Sequence, residues 1–350
     1  MTELYFAIPG DINTLTGGYT YDRRLIAELR ALGHKINHLQ LSADFPAPTA
    51  DALADAAAQF AALPDQAIVV ADGLAYGVME NIAEQQAKRL NIIALCHHPL
   101  MLEAGLSSEQ SQQLFLSEQR ALNAAKAVIV TSAMTGKILI EKFSIPASKI
   151  TVALPGTDRQ HFSSCLGNPP VLLTIATLTR RKAHDVLIDA LATIQHLEWS
   201  ARFVGGAEFD PEWTLLLKQK IAAHKLEQRI IFTGAITNTA TEYSAADVFV
   251  LPSLFEGYGM AFAEALSFGL PIVAARAGAV PDVVPESAGI LVPPQDSAAL
   301  AEALQKLLTD KTFRNTLQTG AQTAARALPD WKETATAVAH LINQLHLPKE

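Results

Sequence analysis

Two glutamates, Glu256 and Glu264, bracket the run EGYGMAFAE with seven residues between them. The apolar stretch DVFVLPS, 247–253, leads into it, and the helix-prone run 260–268 leads out. The pattern predicts a strand, a loop and a helix at the carboxyl end of a buried strand, where open α/β sheets hold their ligands. Backbone N–H groups at Gly257, Gly259 and Met260 would point out of the helix start and suit a diphosphate. Glycine lets that backbone approach closely. A carboxylate does not hold phosphate, but an ionised one accepts two donors at once. Sugar and ribose hydroxyls are therefore the natural partners of Glu256 and Glu264, and the combination reads as a nucleotide-sugar site. A glutamate in the first turns of a helix also serves plain dipole compensation, so the company it keeps has to decide.

Arg180, Arg181 and Lys182 follow the apolar strand 171–176 and fall on the same predicted rim as EGYGMAFAE. A basic triplet also occurs as a solvated face, but two cations there would neutralise a departing diphosphate. Cys96-His97-His98-Pro99 closes another apolar strand. Histidines at a strand's carboxyl end are placed to hydrogen-bond a substrate. No metal is expected at them, because adjacent strand side chains point to opposite sides and no third ligand stands at a telling spacing. Gly17-Gly18 opens the first helix without making the Gly-x-Gly-x-x-Gly fingerprint. It reads equally as a tight turn or as a close approach to sugar or phosphate. The turns at 152–162 and 277–282 are likewise open between ordinary connections and backbone contributors. There is no Asp-x-Asp, Walker A, Gly-x-Ser-x-Gly or His-Glu-x-x-His pattern, which disfavours the chemistries those motifs support.

Short Val/Ile/Leu runs alternate with helical stretches along the whole chain. Strands are expected at 4–8, 36–41, 67–71, 91–96, 127–131 and 150–154, then at 171–176, 201–205, 229–234, 248–252, 271–275 and 289–293. Continuous apolar runs suit strands buried on both faces of a parallel sheet, and alternating helices imply βαβ units. The pattern restarts near residue 170, after the Gly/Pro-rich stretch SSCLGNPP, 163–170. The expectation is an α/β protein of two doubly wound, Rossmann-like domains, 1–165 and 166–330, facing across a cleft. A last helix, within 331–350, follows Pro329 and could cross back to the first domain. The 350 residues are 49% hydrophobic and 18% charged, with a net charge of −8. That is ample for two cores and speaks against a nucleic-acid partner. No basic start, cleavage-type tail or membrane-length apolar run is present, and the two cysteines, Cys96 and Cys165, fit a reducing compartment. A cytoplasmic location without a transmembrane segment is the expectation.

With these residues in place, the chain resembles the family 4 retaining glycosyltransferases of the GT-B fold over nearly its whole length. The segments carrying the resemblance are Gly17-Gly18, TSAMTGKIL (131–139), VALPGTD (152–158), TLTRRKAHDVLIDAL (177–191), EGYGMAFAE and GILVPPQD (289–296). The resemblance implies that Glu264 holds the ribose hydroxyls and that Glu256 lies near the donor sugar. It implies that amides of Gly257, Tyr258, Gly259 and Met260 contact sugar and phosphates, and that Arg181 and Lys182 clamp the diphosphate. Gly17 and Gly18 match the loop that approaches the diphosphate. His97 matches the family's active-site histidine, with His98 as the competing alignment. His98 and Asp72 are candidates for the acceptor side, with the first-domain loops 72–76 and 99–113. The family often has Gly-Arg where this chain has Ala176-Thr177, and Lys-Gly where it has Lys182-Ala183. Arg180 is the candidate to replace the missing arginine.

The implied activity is metal-independent transfer of a sugar from a nucleotide diphosphate sugar, with no cofactor, to an unidentified acceptor. Alternatives are a GT-B epimerase, a sugar phosphorylase or a non-catalytic nucleotide-sugar binder. A glycoside hydrolase fits less well, since its carboxylates flank a bond and these two share one loop and helix. Donor base and sugar, acceptor and oligomeric state are not written in the sequence.

Overall fold

The computed structural model describes residues Thr2–His346. Among these residues twelve strands form two six-stranded sheets. The first contains β1 (Glu3–Pro9), β2 (Lys35–Leu41), β3 (Ile68–Asp72), β4 (Asn91–Cys96), β5 (Ala127–Val130) and β6 (Ile150–Val152), in the order β2-β1-β3-β4-β5-β6. The second contains β7 (Val171–Ile175), β8 (Ser200–Val204), β9 (Ile230–Gly234), β10 (Val248–Leu251), β11 (Ile272–Ala275) and β12 (Gly289–Val292), in the order β12-β11-β10-β7-β8-β9. Every pairing is parallel. All twelve expected strands are present, each within two residues of its predicted ends.

The reason is visible in the burial. In β10, Val248 and Val250 pack into one apolar cluster and Phe249 and Leu251 into another on the opposite face. Both side-chain sets of the strand are buried, as a sheet covered by helices on both sides requires. In the first sheet Val69, Ala71, Ile92, Ala94 and Val128 build one such cluster.

The two orders place a reversal between β1 and β3 in the first sheet and between β7 and β10 in the second. At such switch points the helices that follow two neighbouring strands pass to opposite faces of the sheet, leaving a crevice beyond the strands' carboxyl ends.

The chain divides into two compact units: residues up to Gly156 together with those from Pro329 onward, and Thr157–Leu328. The expected boundary at 165/166 lies inside the second unit. The stretch 163–170 is not a free linker, because it is bonded to that unit. The Ser163 N–H donates to the Phe268 carbonyl (2.8 Å), and Asp247 accepts the N–H groups of Gly167 (2.8 Å) and Val171 (2.7 Å). The helix Trp331–His346 packs on the helix Gly17–Ala31 in the first unit. Trp331 is buried against Tyr21, with ring centroids 5.8 Å apart and the Arg24 guanidinium 5.1 Å from its ring. Among the described residues no helix is long and apolar enough to cross a membrane.

Candidate active site

Beyond β7 the chain makes a 3-10 turn, Arg180–Lys182, before the helix His184–Thr193. Beyond β10 it runs through 252–258 to the helix Met260–Ser267. These are the two strands at the switch point of the second sheet, and their loops are stitched together: the Leu254 N–H donates to the Arg181 carbonyl at 2.8 Å.

The stitch brings Arg181, Lys182 and Glu256 into one cluster. Lys182 Nζ lies 2.6 Å from Glu256 Oε1. An Arg181 guanidinium nitrogen lies 2.8 Å from the Phe255 carbonyl and 3.5 Å from Glu256 Oε2. Glu256 is buried. Burial alone would push its carboxyl up, but the Lys182 and Arg181 charges win and hold it at about 2. Two cations thus face one carboxylate.

A third loop completes the support. The Ala279 N–H donates to the Glu256 carbonyl at 2.9 Å. Gly278 sits at φ +56, and a Cβ there would come 2.2 Å from that carbonyl oxygen. Only a glycine allows this contact in both conformation and space. The sequence left the 277–282 turn undecided; it shapes the backbone of Glu256.

Gly259 opens the helix Met260–Ser267 with φ +94, and a Cβ on it would strike Phe262 at 2.6 Å. Tyr258 is buried and Met260 half-buried; burial pushes the Tyr258 phenol up to about 12. Glu264 lies one helical turn on from Met260 and bonds to neither Arg181 nor Lys182. Its Oε2 accepts the Tyr243 hydroxyl at 2.9 Å. Burial raises the Glu264 carboxyl to about 7, with the tyrosine pulling the other way. Tyr243 is fully buried and stacked on Phe268, centroids 5.1 Å apart. Arg180 stands outside the Glu256 cluster. Its Nε is 3.3 Å from Asp210 and its guanidinium covers Trp213 at 4.7 Å.

The first unit gathers a separate group at its own switch point. His97 follows β4, Asp72 ends β3, and Asp22 lies on the helix Gly17–Ala31 that follows β1. His97 Nε2 is 3.5 Å from Asp22 Oδ1 and 3.4 Å from Asp72 Oδ2. Gly18 lies beside the same ring, its notional Cβ 3.5 Å from His97 Cδ2. Asp72 also caps the short helix Gly73–Tyr76 through the Leu74 N–H at 2.7 Å. His98 is directed elsewhere, with Nε2 3.3 Å from Glu103. The turn after the histidines is pinned by the buried Glu118, whose Oε2 accepts the Leu100 N–H at 2.9 Å. Asp22, Asp72 and His97 offer three ligand-type atoms within 4.8 Å of one another. The third partner that spacing alone did not reveal is therefore Asp22.

Sequence reasoning missed Asp22 and Tyr243 and left Gly278, within the 277–282 turn, undecided. One signal for Asp22 was available: it stands four residues after Gly18, on the same helix face. Tyr243, on the helix Ala240–Ala245, and Gly278, in the turn after β11, have no such local mark.

Residues 169–310 match the family model described as Glycosyl transferases group 1. The D-inositol 3-phosphate glycosyltransferase of Xylanimonas cellulosilytica is 29% identical over 259 residues, 67% of this chain and 61% of that protein. The sulfoquinovosyl transferase SQD2 of Arabidopsis thaliana is 27% identical over 234 residues, 61% of this chain and 44% of its own. The matches thus span less than two thirds of these relatives. Among solved structures, sucrose-phosphate synthase from Thermosynechococcus elongatus superposes with a TM-score of 0.84 at 24% identity, covering 99% of both chains. HepE from Anabaena, in complex with UDP-glucose, gives 0.80 at 20% identity over 98% of this chain and 100% of that one. The fold is thus GT-B, and the segment 169–310 that matches the Glycosyl transferases group 1 model carries Arg181, Lys182, Glu256 and Glu264.

Proposed function

We propose that this protein is a retaining glycosyltransferase that moves a sugar from a nucleotide diphosphate sugar to an acceptor, without a metal. The observation that carries the reading is the convergence of Arg181, Lys182 and Glu256 beside the helix start at Gly259, at the switch point of the second sheet. In this reading the diphosphate sits on the amides of 257–260, with Arg181 and Lys182 at its oxygens. Glu264 takes the ribose hydroxyls. Glu256 keeps the two cations in place and faces the donor sugar.

As the bond from the anomeric carbon to the diphosphate lengthens, negative charge grows on the leaving oxygens. The fixed cations and the helix start stabilise it there without reorganisation. The sugar passes through an oxocarbenium-like state, and the acceptor hydroxyl attacks from the face the diphosphate leaves. The departing phosphate takes the acceptor proton, so no separate base is required. The positive potential that a metal would bring comes from side chains and amides. Acceptor binding falls to the first unit, around Asp72, His97 and the 99–113 turn. UDP-sugars are the donors to test first, since HepE binds UDP-glucose.

The test is mass-spectrometric analysis of a nucleotide-sugar panel incubated with the protein and a pool of hydroxyl acceptors. Transfer with the anomeric configuration kept, in buffer containing chelator, is the expected result. Isomerisation of the sugar without acceptor would make the protein an epimerase, and a strict need for inorganic phosphate would make it a phosphorylase. Binding without turnover of any donor would leave a binding protein.

A further inference from the structure

Asp22 is the most unusual polar residue of the first unit. Its side chain has no exposure, and neither carboxylate oxygen has a hydrogen-bond partner. A buried carboxylate left without donors is strongly disfavoured, so the groups around it have to compensate. Those that face the cluster come from three elements. The helix Gly17–Ala31 supplies Tyr19 and Tyr21, but the Tyr19 hydroxyl donates to the Pro9 carbonyl and the Tyr21 hydroxyl to the Ala153 carbonyl. The end of β3 supplies Asp72, a second carboxylate. The end of β4 supplies Cys96 and His97. Among the described residues no lysine or arginine forms an ion pair with Asp22 or Asp72; His97 is the cation available to both.

The ring of His97 is correspondingly committed. Its Nε2 is buried between the two aspartates. Gly18 covers the adjoining Cδ2 edge, and Tyr21 meets the ring edge-on with centroids 5.2 Å apart. The side chain nevertheless keeps 22% of its surface open. With Nε2 buried and Cδ2 covered, the edge left open is the one carrying Nδ1. Nε2 faces only acceptors and so bears a proton. A second proton, on Nδ1, gives the aspartates the charge they lack.

We propose that Asp22 is a positioning residue which, with Asp72, holds His97 as an imidazolium, so that His97 meets the substrate as an Nδ1–H donor and not as a base. This rests on the glycosyltransferase reading for the identity of the substrate, a sugar or phosphate oxygen. The charge state of the ring does not depend on that reading. The direction of titration agrees: burial works against the charged ring, but Asp22 and Asp72 outweigh it and raise His97 above the ordinary histidine range.

The test is nitrogen-15 NMR of histidine-labelled protein, with the His97 signal assigned by its loss in His97→Gln. The expected spectrum shows both ring nitrogens protonated through neutral pH, and in Asp22→Asn a ring that deprotonates at lower pH. A His97 that titrates near the ordinary histidine value of about 6.5 in the parent overturns the proposal, and this measurement needs no turnover. In kinetics, Asp22→Asn is expected to lower kcat by roughly a hundredfold, the scale of losing one aimed donor, and to move the alkaline limb of the pH profile downward. The donor KM should change little. A loss confined to KM, or an unmoved pH limb, counts against the role. Thermal-shift titration with Zn²⁺ or Mn²⁺ alone gives a further check. Stabilisation that Asp22→Asn abolishes would assign the three side chains to a cation and overturn the imidazolium.

Discussion

Lys182 reaches Glu256 at 2.6 Å, and the contact gives each partner a part in the other's work. The carboxylate fixes the ammonium where a diphosphate would meet it, and the ammonium keeps the carboxylate ionised. Lys182→Ala is expected to lower kcat by about one to three decades, the effect of removing one charge-stabilising donor. Steady-state rates with a consumed donor check this, and turnover within twofold of the parent would remove Lys182 from the mechanism. Glu264 behaves differently, because burial lifts it to about 7. The sign follows from the raised value. Its protonated form favours the fold below the ordinary 4.5, and that contribution is lost as pH rises through about 7. Ribose hydroxyls favour the ionised form. Nucleoside diphosphate binding at pH 6 should therefore release a proton, and binding at pH 8.5 should not. Calorimetry in buffers of different ionisation enthalpy reads the difference directly. Tyr243→Phe removes the donor that opposes the rise. It should weaken nucleotide binding near neutral pH by about fivefold, about 1 kcal/mol for one hydrogen bond.

Between strands and helices, the turns carry the strain that places these residues. Gly278→Ala would put a Cβ 2.2 Å from the Glu256 carbonyl at φ +56. It is expected to cost about 1–3 kcal/mol in urea unfolding and to reduce turnover by displacing Glu256. Ala183 is the opposite case. It caps the helix His184–Thr193 in the left-handed region at φ 51, where the resemblance calls for glycine. Ala183→Gly should stabilise the protein by about 0.5–1 kcal/mol, measured the same way; destabilisation would contradict the strain. The strands were legible because residues such as Phe249 and Val250 are buried on both sheet faces, so nothing interrupts their apolar runs. The loop EGYGMAFAE was legible because its glycines and glutamates sit close together in sequence. Asp22 was not, because a carboxylate on a helix near arginines looks like a solvated position until its burial is known. Tyr243 and Gly278 reach Glu264 and Glu256 only through tertiary structure. The stretch 163–170 has the composition of a linker, yet Asp247 and Phe268 bond it to the second unit.

At the scale of the whole molecule, the helix Trp331–His346 belongs to the first unit, although the second unit precedes it in sequence. Trp331 is buried there against Tyr21, and a Cβ at Gly156 would come 2.3 Å from its backbone nitrogen. Trp331→Ala is expected to cost about 3–5 kcal/mol, confined to the first unit. Denaturation followed by a probe in each unit should then show two separated transitions, with nucleotide affinity unchanged, since Arg181, Lys182, Glu256 and Glu264 all lie in Thr157–Leu328. The same connectivity makes the second unit an insertion within the first. During synthesis the 172 residues between Gly156 and Pro329 (328 − 156 = 172) must be translated before the closing helix exists. At common elongation rates that interval is on the order of ten to thirty seconds. The nascent first half thus waits on the ribosome with its tryptophan seat vacant, while the inserted half is free to finish folding first.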